Sequence, residues 1–181
     1  MKSAAFLGDR PERFTFGDRK TDPLCRRIKS ALVEQAMDLY GSGVRRFYCS
    51  LSPGIGFWAA EAVLTLRATP AFPEATLVGV MPFEGCDRHW AKSDQSRYHR
   101  LLSACNEIRF ACHFAPNAKN PAALSTSYKR RDYLLVDEAD QLVVVYDQDR
   151  SVRTQVGQAV NYAKSKGRDI RYIHPDTAQV T

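Results

Sequence analysis

No run of about 20 apolar residues occurs in this 181-residue chain, so the sequence offers no helix able to cross a bilayer. The opening Met1-Lys2-Ser3-Ala4-Ala5-Phe6-Leu7-Gly8 meets mixed charges too early for a secretory signal. A cysteine framework is missing: Cys25, Cys49, Cys86, Cys105 and Cys112 are odd in number, irregularly spaced and form no Cys-x-x-Cys. That pattern points to reduced thiols in a cytoplasm and away from a disulfide framework. Metal ligation is equally thin, because Cys86 and His89 have ligand spacing but Cys112-His113 makes a doubtful second pair, so no metal is expected. No Gly-x-Ser-x-Gly elbow marks a serine nucleophile. Linkers, internal repeats and low-complexity tracts are also missing, and residues 1–181 read as one domain.

What is present is ordinary core material with an excess of positive charge. A chain that is 44% hydrophobic and 25% charged can bury roughly 70% of its unfolded surface and fold without staples. The net charge of +6 favours polyanionic or phosphorylated partners, although a solvated basic surface accounts for it as well.

Six runs rich in branched and aromatic residues, bounded by turn formers, predict strands near 3–8, 44–50, 75–81, 107–114, 141–147 and 169–174. Leu142-Val143-Val144-Val145-Tyr146 has no polar alternation, which predicts a strand covered on both faces in the sheet centre. The run 107–114 alternates, placing Ile108, Phe110, Cys112 and Phe114 on one face, and predicts an outer strand. Helical periods lie between the strands. Asp22 and Pro23 begin the first, with Leu24, Ile28, Ala31, Leu32, Leu39 and Tyr40 on one stripe. The second, from about Gly56 to Arg67, is apolar nearly all round and should be the most buried. Ser93 can cap the third; Leu124, Tyr128, Arg131 and Leu135 mark the fourth; Val152, Val156, Ala159, Val160 and Ala163 mark the fifth, stopped by Gly167. Strict alternation of strand and helix predicts an α/β fold, a three-layer α/β/α sandwich around a mainly parallel six-stranded sheet.

In such sheets ligands bind beyond the strand carboxyl ends, which selects the loops 8–14, 50–57, 82–90, 115–120 and 147–153. They would gather Arg10, Arg13, Arg88, His89, Lys119, Arg150 and Arg153 beside Phe83 and Trp90, a rim suited to a phosphorylated ligand with a flat base. The turn Gly54-Ile55-Gly56-Phe57-Trp58-Ala59 matches Gly-x-Gly-x-x-Ala, follows a strand and opens a helix. Its glycines serve either phosphate approach to a helix N-terminus or tight packing of that helix on the sheet. For a bound ribose the acidic partner would be Glu84, farther along than the usual spacing. Glu61 interrupts an apolar run, so it faces solvent, meets a structural cation or serves a ligand. Asp147, at a strand carboxyl end, is better placed for a ligand than Asp137 or Asp140.

These residues resemble a known family. Phe6-Leu7-Gly8-Asp9-Arg10-Pro11 is similar to the Gly-His-Arg-Pro opening of the YpsA-like branch of the SLOG superfamily, which includes DprA and the LOG phosphoribohydrolases. Further matches follow in order: Gly54 with Trp58 to Ala62, Pro82-Phe83, Arg131 through Asp137, and Val145-Tyr146-Asp147, with Gly157 and Ala159 where the branch turns into its last helix. Several positions depart from the pattern. Ser50 and Gly56 replace the first glycine and the acid of Gly-x-Ala-x-Gly-x-Asp, Asp9 replaces a His, Asp132 an Asn and Gln158 a Thr. Loss of a carboxylate at 56 bears on hydrolysis more than on binding.

The resemblance implies a Rossmann-like fold that binds nucleotides or their derivatives. In that reading Gly8, Arg10, Pro53, Gly54 and Gly157 surround phosphate and ribose, Trp58, Phe83 or Tyr146 borders the base, and Pro82, Arg131 and Asp147 complete the site. Glu61 and Arg10 would be the catalytic pair for N-glycosidic cleavage, as acid/base and phosphate guide, with no cofactor. A second reading is a DprA-like nucleic-acid binder with a basic strip of Arg26, Arg27, Lys29, Lys129, Arg130 and Arg131. A third is an NAD-dependent enzyme using the Gly54 turn. Self-association through an exposed helix face is compatible with a sheet of this size, and the sequence leaves the oligomeric state open.

Overall fold

A computed structural model describes residues 1–17, 19–148 and 154–181. Six strands, β1 (Lys2–Gly8), β2 (Val44–Ser50), β3 (Thr76–Met81), β4 (Glu107–Phe110), β5 (Gln141–Val145) and β6 (Asp169–Ile173), alternate with five helices. The helices are α1 (Pro23–Gly41), α2 (Ile55–Ala68), α3 (Lys92–Ala104), α4 (Pro121–Glu138) and α5 (Gln155–Ser165). All strand pairs are parallel, in the order β4-β3-β2-β1-β5-β6. The expected α/β sandwich is therefore present.

Alternation along each strand divides the core between two layers. Phe6, Phe47, Leu77 and Val143 point to the face covered by α1, α2 and α3, whereas Leu7, Tyr48, Val78 and Val144 point to the face covered by α4 and α5. Local signals set the helix ends. The Asp22 carboxylate accepts the Leu24 N–H at 2.9 Å with Pro23 in the first turn, and Thr154 Oγ1 accepts the Gly157 N–H at 3.0 Å at the start of α5. Among the described residues no helix is long and apolar enough to cross a membrane.

Three expectations need correction. β5 is interior but not central; β2 and β1 hold the middle, because α4 carries the chain back past β1 before β5 is laid down. β4 ends at Phe110 rather than continuing to 114, since its partner β3 ends at Met81; the following amides of Ala111 and Cys112 then bond the carbonyls of Met81 and Pro82 as both chains leave the sheet. Helix α3 starts two residues earlier than a Ser93 cap would allow, with the Ala91 carbonyl accepting the N–H groups of Asp94 and Gln95. Val152 of the expected fifth helix lies outside the described residues.

The Gly-x-Gly turn has a packing role. Gly54 sits at φ +89°, and a Cβ there would come within 2.6 Å of the Asp9 carbonyl oxygen. A Cβ on Gly56 would overlap the Ser50 carbonyl oxygen and lie 2.5 Å from Ser50 Oγ. Neither backbone has room to give, because one side is the sheet and the other the buried helix α2. Gly56→Ala is expected to cost about 2 kcal/mol through overpacking, read as a lower urea midpoint at unchanged slope.

Candidate functional site

The chain runs outward from β1 to β4 along one side of the sheet, then α4 returns it to β5 on the other side of β1. The loops leaving β1 and β5 consequently enter opposite helical layers, and a crevice opens at their carboxyl ends. It is a cavity of about 810 Å³. Its walls come from the β1 exit (Gly8, Asp9, Arg10, Glu12, Arg13), Ser52 after β2, the β3 exit (83–86 and 88–90), and Ala115, Pro116 and Ala118 after β4. One face of α4 (Leu124, Tyr128, Arg131, Asp132) and the start of α5 (Gln155, Val156) close it.

The deepest charges in this cavity neutralise each other. Asp132 Oδ1 accepts from Arg131 Nε at 2.9 Å and from Nη2 at 2.7 Å, and Gln155 Nε2 donates to Asp132 Oδ2 at 2.6 Å. Arg131 Nη1 reaches Ser52 Oγ at 3.4 Å. Both partners are buried, so the pair holds α4, α5 and the β2 exit together through one desolvated ion pair. Nearer the mouth, Arg10 and Arg131 each bring a guanidinium within 5.3 Å of the Tyr128 ring centre, and Phe83 meets the same ring edge-on at 6.4 Å. Among the described residues no carboxylate is in ion-pair contact with Arg10, Arg13 or Arg88. Cys86 also lines the wall, but burial pushes its thiol up to about 11.

The structure thus brings Gly8, Arg10, Phe83 and Arg131 of the expected site together, with Arg13, Glu84, Arg88, His89 and Trp90 of the expected rim. The other expected residues lie elsewhere. Pro53 and Gly54 are not on the cavity wall, because the β1 exit lies over them: the Asp9 carbonyl accepts the Ile55 N–H at 3.3 Å, and Ser52 C=O accepts Phe57 N–H at 2.9 Å. The first turn of α2 is therefore capped by the chain itself where phosphate contact was expected. Trp58 is buried against Phe14 and Phe16, with Lys29 Nζ 5.1 Å from its ring centre, and presents no face to a base. Pro82 serves through its carbonyl, which accepts the Cys112 N–H. Tyr146 packs over Gly157, whose notional Cβ would sit 3.0 Å from the tyrosine hydroxyl. Asp147 lies beside His174, 3.7 Å away, in a group with Asp176 whose donor atoms fall within 4.8 Å of one another.

Glu61 is the largest departure. It projects from α2 toward α3, where Arg97 binds it with two hydrogen bonds of 2.7 and 2.6 Å and Arg100 approaches to 3.5 Å. It shares a shallow polar recess with Lys20, Ser93 and Ser96, and it does not line the cavity that holds Arg10. Of its alternative roles, the structural ion pair describes this geometry. Lys119 is not on the cavity wall, and Arg150 and Arg153 lie outside the described residues.

Sequence reasoning assigned no site role to Ser52, Tyr128, Asp132 or Gln155. For Tyr128 the signal was there: Leu124, Tyr128 and Arg131 share a helical face, but periodicity does not say that the face turns partly to a cavity. Asp132 and Gln155 meet across 23 positions, a contact that local pattern cannot reveal.

Two outcomes follow from this electrostatic arrangement. Asp132→Ala leaves a buried guanidinium without its counter-charge and is expected to cost about 3–5 kcal/mol, with Asp132→Asn milder because an acceptor remains, both read by thermal or urea unfolding. In the native protein Cys86 is expected to resist iodoacetamide at pH 8, its alkylation rising only as pH approaches 11, followed by peptide mapping.

Comparison with known proteins agrees with this architecture. The sequence profile described as the YspA SLOG family (YpsA) matches residues 5–178. UPF0398 protein BH1768 of Halalkalibacterium halodurans is 29% identical over 150 residues, covering 82% of this chain and 75% of that protein. UPF0398 protein YpsA of Bacillus subtilis is 23% identical over 184 residues, covering 100% and 97%. Among solved structures, DNA processing protein A from Helicobacter pylori, described for its single-stranded DNA binding mode, superposes with a TM-score of 0.56 at 15% identity. That likeness covers 94% of this chain and 64% of the other, and concerns the fold. With the profile running from the β1 strand to the C-terminal turn, this chain belongs to the YpsA-type SLOG family.

Proposed function

We propose that this protein binds a nucleoside phosphate in the cavity at the carboxyl ends of its strands. The observation that carries the reading is the meeting of Arg10, Arg13 and Arg88, none in an ion pair among the described residues, with the aromatic groups Phe83, Trp90 and Tyr128 on the walls of one cavity. Guanidinium forks match phosphate oxygens, the aromatic side chains supply apolar contact for a base, and 810 Å³ lies within the usual range of small-ligand sites. Arg131 adds little net field because Asp132 neutralises it, so phosphate affinity rests on the three arginines nearer the mouth. Membership of the SLOG family supports a nucleotide- or nucleic-acid-related role.

The reading is one of binding. The expected acid/base Glu61 is committed to Arg97 outside the cavity and Asp132 to Arg131 and Gln155, so the carboxylates on the wall to which a cleavage step would have to turn are Asp9, Glu12 and Glu84. The Gly54 turn, on which an NAD-dependent reading relied, is covered by the β1 exit. A DprA-like nucleic-acid reading has the shared fold in its favour. Its expected basic strip is divided, however, because Arg26, Arg27 and Lys29 lie on α1, Lys129 and Arg130 lie on α4 in the opposite layer, and Arg131 is buried.

The test is a thermal-shift and calorimetric panel of AMP, CMP, ADP-ribose, NAD and short single-stranded DNA. At about 100 times its Kd a ligand adds roughly 2.7 kcal/mol, a rise of several degrees for a chain of this size. Arg10→Ala and Arg88→Ala are each expected to weaken nucleotide binding about tenfold or more, while Glu61→Ala leaves Kd unchanged. No shift with any nucleotide would overturn the proposal, and a DNA affinity falling steeply with salt would decide for the second reading.

A further inference from the structure

The outer strand β4 (Glu107–Phe110) pairs with β3 on one side and with no other strand among the described residues. The Asn106 N–H donates inward to the Leu77 carbonyl at 2.8 Å, so the alternation of a strand turns the N–H and C=O groups of Glu107 and Arg109 outward. Edges left open in this way are usually blunted by proline, a bulge or inward-pointing charge. This edge carries no proline or bulge; it is four residues long, with two charged side chains on one face and Ile108 (43%) and Phe110 (40%) exposed on the other, and Phe114 (87%) just beyond. On the charged face Glu107 and Arg109 stand side by side, 2.6 Å apart, held by Arg46 on the Glu107 side and by Glu138 on the Arg109 side.

The order acid, apolar, base is self-complementary in one orientation alone. If a second copy is laid antiparallel about a two-fold axis at Ile108, Glu107 faces the second copy's Arg109, Arg109 faces its Glu107, and Ile108 faces itself. In that register the outward amides and carbonyls of Glu107 and Arg109 meet their counterparts as hydrogen-bonded pairs. A parallel, in-register copy would place Glu107 against Glu107 and Arg109 against Arg109. We propose that this chain forms a two-fold homodimer through antiparallel pairing of β4, joining two sheets into one continuous sheet. An unrelated extended peptide could use the same backbone groups, but the palindromic charge order singles out a second copy. The existing network around Glu107 and Arg109 holds both side chains in place before association, which lowers the ordering cost.

Sedimentation velocity on the full chain tests this. Wild type is expected to be a dimer at micromolar concentration; Arg109→Glu opposes like charges and raises the dimer Kd at least tenfold, and the exchanged pair Glu107→Arg with Arg109→Glu restores it. Because these variants also disturb the network to Arg46 and Glu138, a second measurement uses Ile108→Cys. The two-fold axis puts the Cα atoms of the two copies about 4.5 Å apart at this position, within disulfide reach, so mild oxidation should give a dimer whose mapped bridge joins position 108 to position 108. A wild-type monomer at high micromolar concentration overturns the proposal, and so does a dimer that forms no 108–108 bridge or whose Kd is unmoved by a folded Arg109→Glu variant. These readouts do not involve the cavity, so the outcome is independent of the nucleotide reading.

Discussion

The Asp9 carbonyl accepts the Ile55 N–H, and for this contact to form the β1 exit must lie directly against the first turn of α2. Gly54 and Gly56 make that approach sterically feasible, one by its positive φ and the absence of a Cβ against Asp9, the other by the absence of a Cβ against Ser50. Much of the site follows from it. With the β1 exit seated there, Arg10 leans toward Tyr128 on α4, Gly8 forms part of the cavity wall, and the N-terminus of α2 is closed to external anions. A side chain at position 56 has no space in this backbone, which gives a physical reason for the departure from the acid of the family pattern there.

Electrostatics then divides the cavity into two zones. Below, the Arg131–Asp132 pair and Gln155 bind the two helices of one layer to each other and cancel their charges. Above, Arg10, Arg13 and Arg88 lack such partners among the described residues and, together with the carboxylates of Asp9, Glu12 and Glu84 on the same wall, set the potential that a ligand meets. Buried ion pairs contribute uncertain net stability but are costly to break, so the lower zone acts as a rigid floor and the upper zone as the recognition surface. Glu61 belongs to neither; its role is to hold α2 to α3 through Arg97.

Fold and site were legible to different degrees. Unbroken apolar character marked β5 as an interior strand, alternation marked β4 as an edge, and Asp22-Pro23 located the start of α1, because each depends on residues close in sequence. Strand order was not legible in the same way, and β5 was expected at the centre because a both-faces-covered strand reads the same in any interior position. Residues following strands into the crevice, such as Arg10 and Phe83, could be placed by topology alone. Trp58 and Glu61 could not, because a residue one or two turns into α2 points wherever helical rotation takes it: Trp58 into the Phe14 and Phe16 cluster, Glu61 toward α3.

By itself, then, the amino-acid sequence determined the alternation of elements, the parallel sandwich and the set of loops that meet at one edge, since periodicity and turn chemistry are local properties and crossover handedness leaves few alternatives. Only the tertiary structure decided which face of α4 closes the cavity, that Arg131 is neutralised by Asp132 and Gln155, and that the glycine turn is filled by the protein's own β1 exit. Those are contacts between segments far apart in the chain, and their energies depend on distances of a few ångströms that no local pattern encodes.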